Sequence, residues 1–193
     1  MYVDQTRKLI FIHNPKTAGM SIVRSFGFPS TGFPNKFNHT RPQEAITWIF
    51  QQTWTSFYSF CVVRNPWDRL VSLYHFQRSD NYARIAGLNL SHQRARALNF
   101  SQWIDVNIGE RHKSLWFGVP QSDWSSEVSE AFRYEDLDTS LPRIAATFGL
   151  RWDGALENIT PHPHYRSLFN SPSHIDFVAQ LECQTIARFN YDF

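Results

Sequence analysis

A lysine and two hydroxyl side chains lie in a short turn between an apolar run and an apolar-periodic stretch. The segment 9–24 reads LIFIHNPKTAGMSIVR, and its turn carries Lys16, Thr17 and Ser21. A strand that leads through a polar turn into a helix N-terminus brings backbone N–H groups together, and the helix dipole favours negative charge there. These residue types at this spacing predict a site for a phosphate or sulfate group.

The turn differs from the Walker A loop that holds nucleoside triphosphates. That loop needs the pattern G-x-x-x-x-G-K-[ST], whereas here Lys16 precedes the glycine of the turn, Gly19. An anionic group is therefore expected at this turn, but a nucleoside triphosphate is not the favoured ligand.

A second anion element follows the apolar run at 58–63. Arg64 comes directly after that run. Asn65 and Pro66 suit the N-cap and the first position of a helix that includes Ser72. A guanidinium offers planar, forked hydrogen bonds to a phosphate, and a serine hydroxyl supplies one more donor. Two strand-to-helix anion elements predict a ligand with two separated anionic groups.

Both elements resemble motifs of the sulfotransferases that act on carbohydrates. HNPKTAGMS (13–21) resembles their HIPKTAGTS-type 5′-phosphosulfate loop, and VVRNPWDRLVSLY (62–74) resembles their 3′-phosphate element, VRNPYDRLVSAY. The similarity continues, in the same order, with PQSDW (120–124), FRYEDL (132–137) and FNYDF (189–193). The chain resembles most the group that contains heparan sulfate 2-O-sulfotransferase and the chondroitin sulfotransferases.

This resemblance implies a sulfotransferase that moves a sulfuryl group from 3′-phosphoadenylyl sulfate (PAPS) to a hydroxyl of a carbohydrate or glycolipid and releases PAP. It also implies a P-loop-like, three-layer α/β fold with a central, mainly parallel sheet flanked by helices. The cofactor-binding residues that follow from it are Lys16, Thr17, Ala18, Gly19, Met20, Ser21, Arg64, Ser72, Tyr165 and Arg166. A further set either lines the acceptor pocket or forms a turn, and we favour the pocket for Gln121, Asp123 and Trp124.

The catalytic residues follow from what sulfuryl transfer requires. The reaction needs in-line geometry, an activated acceptor oxygen and stabilisation of charge on the leaving oxygen. Lys16 is placed for the leaving oxygen, so we expect no metal, and the sequence offers no metal-ligand spacing of histidines, cysteines or carboxylates. His39, between the two anion elements, is the predicted general base, because related enzymes carry a histidine in that interval. The alternative for His39 is a solvent-facing loop residue.

Two other functions stay open at this point. A P-loop-type kinase would use ATP to phosphorylate a small alcohol, although the position of Lys16 and the second anion element argue against it. A nucleotide-binding protein without catalytic activity is the other alternative, because 193 residues are few for a carbohydrate sulfotransferase.

Composition bounds the remaining possibilities. The 193 residues are 42% hydrophobic and 16% aromatic, which excludes a disordered chain and favours a single domain over 1–193. A formal net charge of +2 without a basic run argues against a nucleic-acid partner.

Without a signal-peptide pattern or an apolar run of ~20 residues, we expect a cytoplasmic protein with no stable membrane insertion. Cys61 and Cys183 are expected to be buried, reduced thiols.

Two observations keep other locations open. Peripheral association with a membrane is compatible with the same composition. A trimmed luminal domain is compatible with four N-x-[ST] sequons, at Asn38, Asn89, Asn99 and Asn158.

Hydrophobic periodicity predicts strands that alternate with helices. Strands are expected at 8–13, 57–63 and 130–134. Helices are expected at 21–26, 43–53, 66–80, 100–108, 141–148 and 174–188, with loops at 28–42 and 151–173. This alternation implies a parallel sheet whose ligand lies at the C-terminal ends of the strands.

Overall fold

The computed structural model describes residues 1–28, 39–48, 51–110, 116–155 and 159–193. The chain divides into two units, each formed by two stretches of sequence. The first unit consists of Met1–Arg64 and Gln121–Asn158, and the second consists of Asn65–Pro120 and Ile159–Phe193. The single domain over residues 1–193 stays a prediction.

A four-stranded sheet forms the centre of the first unit. The strands are β1 (Tyr2–Asp4), β2 (Leu9–Ile12), β3 (Tyr58–Val63) and β4 (Glu130–Arg133), and they lie in the order β1-β2-β3-β4. β2, β3 and β4 are parallel, whereas β1 is antiparallel to β2. The predicted mainly parallel sheet is confirmed. β1 was not predicted, because three residues at a sheet edge give too short a pattern to recognise.

The helices are α1 (Gly19–Ser25), α2 (Pro42–Trp48), α3 (Gln51–Ser56), α4 (Pro66–Arg78), α5 (Asp80–Ala86), α6 (Leu90–Ala97), α7 (Phe100–Gly109), α8 (Ser122–Ser125), α9 (Leu137–Thr147), α10 (Pro172–Leu181) and α11 (Cys183–Phe189). Short 3₁₀ turns occupy Tyr134–Asp136 and Tyr165–Ser167. The first unit contains α1, α2, α3, α8 and α9, and the second contains the other helices. The structure is therefore a mixed α/β fold.

The core of the first unit lies between one face of the sheet and helices α1 and α9. Phe11 pairs with Phe60 in the parallel register of β2 and β3, and their rings stack with centroids 5.0 Å apart. Ile22 of α1 and Leu141 of α9 belong to the same buried cluster. The intervening residues of β2 and β3 are also buried, so both strands are covered on both faces, as is typical of parallel sheets. This burial explains their continuous apolar sequences.

Helix α4 begins as its sequence predicts. The Asn65 side chain accepts hydrogen bonds from the N–H groups of Trp67 at 3.1 Å and Asp68 at 3.2 Å, and Pro66 occupies the first turn. The second unit has its own buried apolar cluster, to which α4 and α7 contribute Leu70 and Trp103. The cap and the cluster fix the direction of α4 within this unit.

One helix predicted in the second unit is interrupted beside a buried ion pair. The predicted helix 174–188 is two helices, α10 and α11, separated at Glu182. The Glu182 carboxylate lies 2.8 Å from Nη2 of Arg69, and the side chains are 2% and 1% exposed. Thr185 also donates to this carboxylate at 2.8 Å. The chain leaves the helical path at Glu182, where its side chain joins this buried ion pair.

Three further predictions need correction. The predicted helix 43–53 corresponds to α2 and α3, and Pro42, assigned to a loop, begins α2. α9 begins at Leu137 rather than at residue 141, because it continues directly from the turn Tyr134–Asp136. Cys61 and Cys183 form no disulfide bond, but Cys183 is exposed rather than buried, because it opens α11 on the solvent side.

Some predictions fall outside the described residues or receive no test. Residues 29–38 of the predicted loop, with the sequon at Asn38, lie outside the described part, as does the sequon at Asn158. Across the described ranges, no helix has the length and apolar character needed to cross a membrane. The cytoplasmic location stays a prediction.

Candidate functional site

The loop between β2 and α1 has an unusual backbone. Lys16 and Ala18 both adopt positive φ angles, 68° and 62°, which L side chains other than asparagine and aspartate seldom adopt. Within the loop, the Thr17 hydroxyl donates to the Asn14 carbonyl at 2.8 Å, and both side chains are fully buried. The surrounding structure therefore holds this turn in a strained form, which is common where a loop receives a ligand.

Gly19 is required by its distance from the His13 ring. A Cβ atom at Gly19 would lie 1.9 Å from Cδ2 and Nε2 of His13. The ring is buried and is packed against Phe11 and His39, with centroids 5.7 Å and 4.3 Å away. Since the ring is held on both sides, the start of α1 approaches β2 closely only because residue 19 lacks a side chain.

Two cationic residues, Lys16 and Arg64, lie close together after the C-terminal ends of β2 and β3. The Arg64 guanidinium donates to the Lys16 carbonyl at 3.3 Å and lies 4.3 Å above the ring centre of Tyr134. Arg64 is buried, and Lys16 is partly buried. Burial, followed by the charge of Arg64, lowers the pKa of the Lys16 ammonium to about 7. An anion at this place would stabilise the ammonium and raise that pKa again.

The buried amide of Gln121 joins these two elements. Its Oε1 accepts from the backbone N–H of Arg64 and from Nδ2 of Asn14, each at 2.9 Å. Its Nε2 donates to the Arg64 carbonyl at 2.8 Å. Asn14 also donates to the Val62 carbonyl at 3.0 Å. Gln121, which was predicted to line the pocket of the acceptor substrate, thus lies between the two anion elements. Both its amide oxygen and its amide nitrogen are hydrogen-bonded.

His39 lies beside the same loop, with one ring nitrogen fixed. Its Nδ1 is 3.0 Å from the His13 carbonyl oxygen, which can only accept a hydrogen bond, so Nδ1 carries the proton and Nε2 holds the lone pair. Burial is the main cause that lowers the pKa of His39 to about 4; the hydrogen bond to His13 opposes it, and the charges of the N-terminus and Lys16 add to it. The imidazole is therefore neutral at pH 7, with a basic nitrogen in a defined tautomer.

The remaining predicted residues of the first unit lie in α1 or α8. Trp124 is buried, and its indole N–H donates to the His39 carbonyl at 3.0 Å. Asp123 lies 3.3 Å from Arg41, a partly exposed ion pair. Ser21 is buried in α1, whereas Met20 is 41% exposed. The first unit thus brings together the predicted Lys16 loop, His39, Arg64, Gln121, Asp123 and Trp124.

The other three predicted residues belong to the second unit. Ser72 is buried in α4, and its hydroxyl makes no hydrogen bond to the described residues. The Tyr165 hydroxyl is 3.4 Å from Nδ2 of Asn65. Arg166 hydrogen-bonds to the carbonyl of Phe193. The roles of Ser72, Tyr165 and Arg166 in cofactor binding stay predictions.

Sequence reasoning missed Asn14 and Tyr134. Asn14 connects the loop to β3 and Gln121, and Tyr134 provides the ring beneath Arg64. Both lie inside motifs that were recognised, HNPKTAGMS and FRYEDL, but their contacts join residues far apart in the sequence. Within the described ranges, no group of three or more histidine, cysteine or acidic residues is arranged to hold a metal ion.

Comparison with known proteins gives one match. The family model described as "Sulfotransferase family" matches residues 1–134, more than half of the chain. Neither a curated protein nor a solved structure matches. The matched residues include β2, β3 and the loops that carry Lys16, His39, Arg64 and Gln121.

The Gly19–His13 contact gives a direct test of this geometry. Gly19→Ala should lower the free energy of unfolding by about 1–3 kcal/mol, the usual cost of overpacking, because its Cβ would overlap the His13 ring. Combining it with His13→Ala should recover part of that loss, so the two changes should not be additive. Urea denaturation of the four proteins measures this coupling.

Gly109→Ala is the matched control, because Gly109 ends a helix and a Cβ there meets nothing within 4 Å. Its effect should stay within about 1 kcal/mol. Additive effects of Gly19→Ala and His13→Ala would show that the two residues are not in the described contact.

Proposed function

The chain belongs to the sulfotransferase family, and on that basis we propose that it transfers a sulfuryl group from PAPS to a hydroxyl acceptor. The observation that carries the proposal is the pairing of Lys16 with Arg64 at the ends of two parallel strands. Two cations held side by side suit a donor with two separated anionic groups. Such a donor would also offset the burial and the repulsion from Arg64 that together lower the pKa of Lys16.

Lys16 and its loop are proposed to hold the 5′-phosphosulfate of the donor. The ammonium would neutralise the charge that develops on the phosphate oxygen as the sulfur–oxygen bond breaks, and a contact that strengthens in the transition state accelerates the reaction. α1 has only seven residues, so its dipole is a minor contribution. The strained turn and the lysine are the main elements of this part of the site, a P-loop-like arrangement without the Walker A sequence.

Arg64 is proposed to bind the 3′-phosphate. Its guanidinium is already oriented by the Lys16 carbonyl and the Tyr134 ring, so little side-chain entropy is lost on binding. The 3′-phosphate distinguishes PAPS from ATP, and a dedicated contact to it would favour a sulfotransferase over the alternative kinase. Ser72, Tyr165 and Arg166 are proposed from the resemblance as additional donor contacts.

His39 is proposed as the general base. The acceptor hydroxyl would give its proton to Nε2 as its oxygen attacks sulfur, and PAP would leave with the bridging oxygen. Nδ1–H remains bonded to the His13 carbonyl throughout, which keeps the ring in the required tautomer. The resemblance to heparan sulfate and chondroitin enzymes suggests a carbohydrate or glycolipid acceptor, with Asp123 and Trp124 as candidate pocket residues.

Ligand selectivity tests the proposed donor. PAP and 5′-AMP differ only by the 3′-phosphate, so the wild-type protein should bind PAP more tightly than 5′-AMP. Arg64→Ala should weaken PAP about tenfold to a hundredfold, the value of one charged hydrogen bond, and should change 5′-AMP little. Calorimetric titration of both ligands gives the four dissociation constants.

Arg151→Ala is the control, because Arg151 is an exposed arginine of the same unit outside the proposed site. It should leave both affinities unchanged. Equal binding of PAP and 5′-AMP by the wild-type protein, or tighter binding of ATP than of PAP, would contradict the proposed donor.

The base assignment has its own test. His39→Ala should reduce turnover about 100- to 10,000-fold with little change in PAP affinity. His39→Asn retains a donor for the His13 carbonyl but lacks a base, so it should be as inactive. Because the pKa of His39 is about 4, the acid limb of wild-type kcat/KM should lie near that pH rather than near 6.5. An active Asn variant would assign His39 a structural role.

A further inference from the structure

Gln121 is the only buried side chain described here that hydrogen-bonds to both the Arg64 backbone and the Asn14 side chain. We propose that it is a positioning residue, which fixes the distance between the Lys16 loop and Arg64 so that one donor molecule binds through both anionic groups together. This inference rests on the proposed function. It assigns to Gln121 a role different from the acceptor contact expected from the sequence.

The hydrogen bonds of Gln121 continue on both sides. Towards β3, the amide pairs with the N–H and the carbonyl of Arg64 at 2.9 and 2.8 Å. Towards β2, it accepts from Asn14, whose carbonyl in turn accepts from Thr17 in the strained turn at 2.8 Å. A continuous path of hydrogen bonds therefore joins the residue before the proposed phosphosulfate turn to the residue that carries the proposed 3′-phosphate contact.

Burial makes this path rigid. Asn14, Thr17 and Gln121 are fully buried, and Arg64 is 9% exposed. A buried polar group that loses its partner is not compensated by water, so alternative side-chain arrangements are costly. The Gln121 amide accepts through its oxygen and donates through its nitrogen, so it can pair with the N–H and with the carbonyl of Arg64 at the same time. The two elements are thus held at one spacing before any ligand arrives.

A fixed spacing has a specific effect on a ligand with two anionic groups. Once one group is bound, the effective concentration of the second at its own site depends on how closely the spacing of the sites matches the ligand. If the link between the sites is lost, this effective concentration falls, while each site still binds a single phosphate. Loss of Gln121 should therefore weaken PAP without weakening its halves.

The experiment compares PAP, 5′-AMP and 3′-AMP by calorimetric titration. The product of the two monophosphate dissociation constants divided by that of PAP is proportional to the effective concentration; both monophosphates contain the adenosine, so each variant is compared with the wild type as a ratio of this quantity. In Gln121→Met, which removes the hydrogen bonds but keeps most of the volume, this quantity should fall about tenfold or more. Each monophosphate should change by less than about threefold.

Gln77→Met is the matched control. Gln77 is also a buried glutamine, and it accepts from the indole of Trp103 at 3.1 Å within the second unit. Its substitution removes a comparable buried hydrogen bond but should leave the effective concentration unchanged. This control separates a positioning effect from a general loss of stability.

Gln121→Glu provides a second variant, and it carries the test alone if the Met variant does not fold. A protonated carboxyl group has one donor and one acceptor, as the amide has, whereas the ionised form has no donor for the Arg64 carbonyl. The effective concentration should therefore recover as the pH is lowered. The titration of Lys16 affects the binding of PAP and of 5′-AMP alike, so it largely cancels from the effective concentration.

The outcomes are distinguishable. Equal weakening of all three ligands by Gln121→Met, or an unchanged effective concentration in every folded Gln121 variant, overturns the positioning role and leaves the proposed donor intact. If the wild-type protein binds PAP no better than 5′-AMP, the proposed function fails and the positioning role fails with it. A selective loss for PAP, restored at low pH in the Glu variant, supports both.

Discussion

Partial burial of the Lys16 ammonium beside the Arg64 guanidinium is the constraint on which the rest of this site depends. Loss of solvation on burial and repulsion from Arg64 both disfavour the charged form, and the lowered pKa of Lys16 expresses that cost. The fold tolerates it because the Lys16 carbonyl and the Tyr134 ring support Arg64. An anion that binds there would offset this cost, because it would favour the charged form of Lys16 and meet a guanidinium that is already in position.

The parallel pairing of β2 and β3 makes this arrangement possible. Leu9 to Ile12 lie opposite Tyr58 to Cys61, so both strands end at the same edge of the sheet. The loop after β2 and the residue after β3 are therefore neighbours, although 48 positions separate Lys16 from Arg64. The observed register of this pairing sets the proximity.

Local patterns in the sequence were sufficient for the three parallel strands and for the start of α4. β2 and β3 are continuous apolar runs, and Asn65 followed by proline predicted the helix start that the structure has. The contacts of Gln121 and Tyr134 were not predictable in this way, because they are tertiary contacts between distant segments. The ion pair of Glu182 was not predictable for the same reason, since its partner Arg69 lies on another helix.

Proton uptake on ligand binding tests the central claim most directly. With a pKa of about 7, the Lys16 side chain is mostly neutral at pH 8. An anion that binds its charged form therefore makes this side chain take up a proton from the solution. Titration of PAP at pH 8, in buffers of different ionisation enthalpy, should show uptake approaching one proton, about 0.9 per ligand. Lys16→Arg should bind PAP without uptake, because a guanidinium is already charged. Binding of PAP by the wild-type protein without proton uptake, or equal uptake by the Arg variant, would contradict the account.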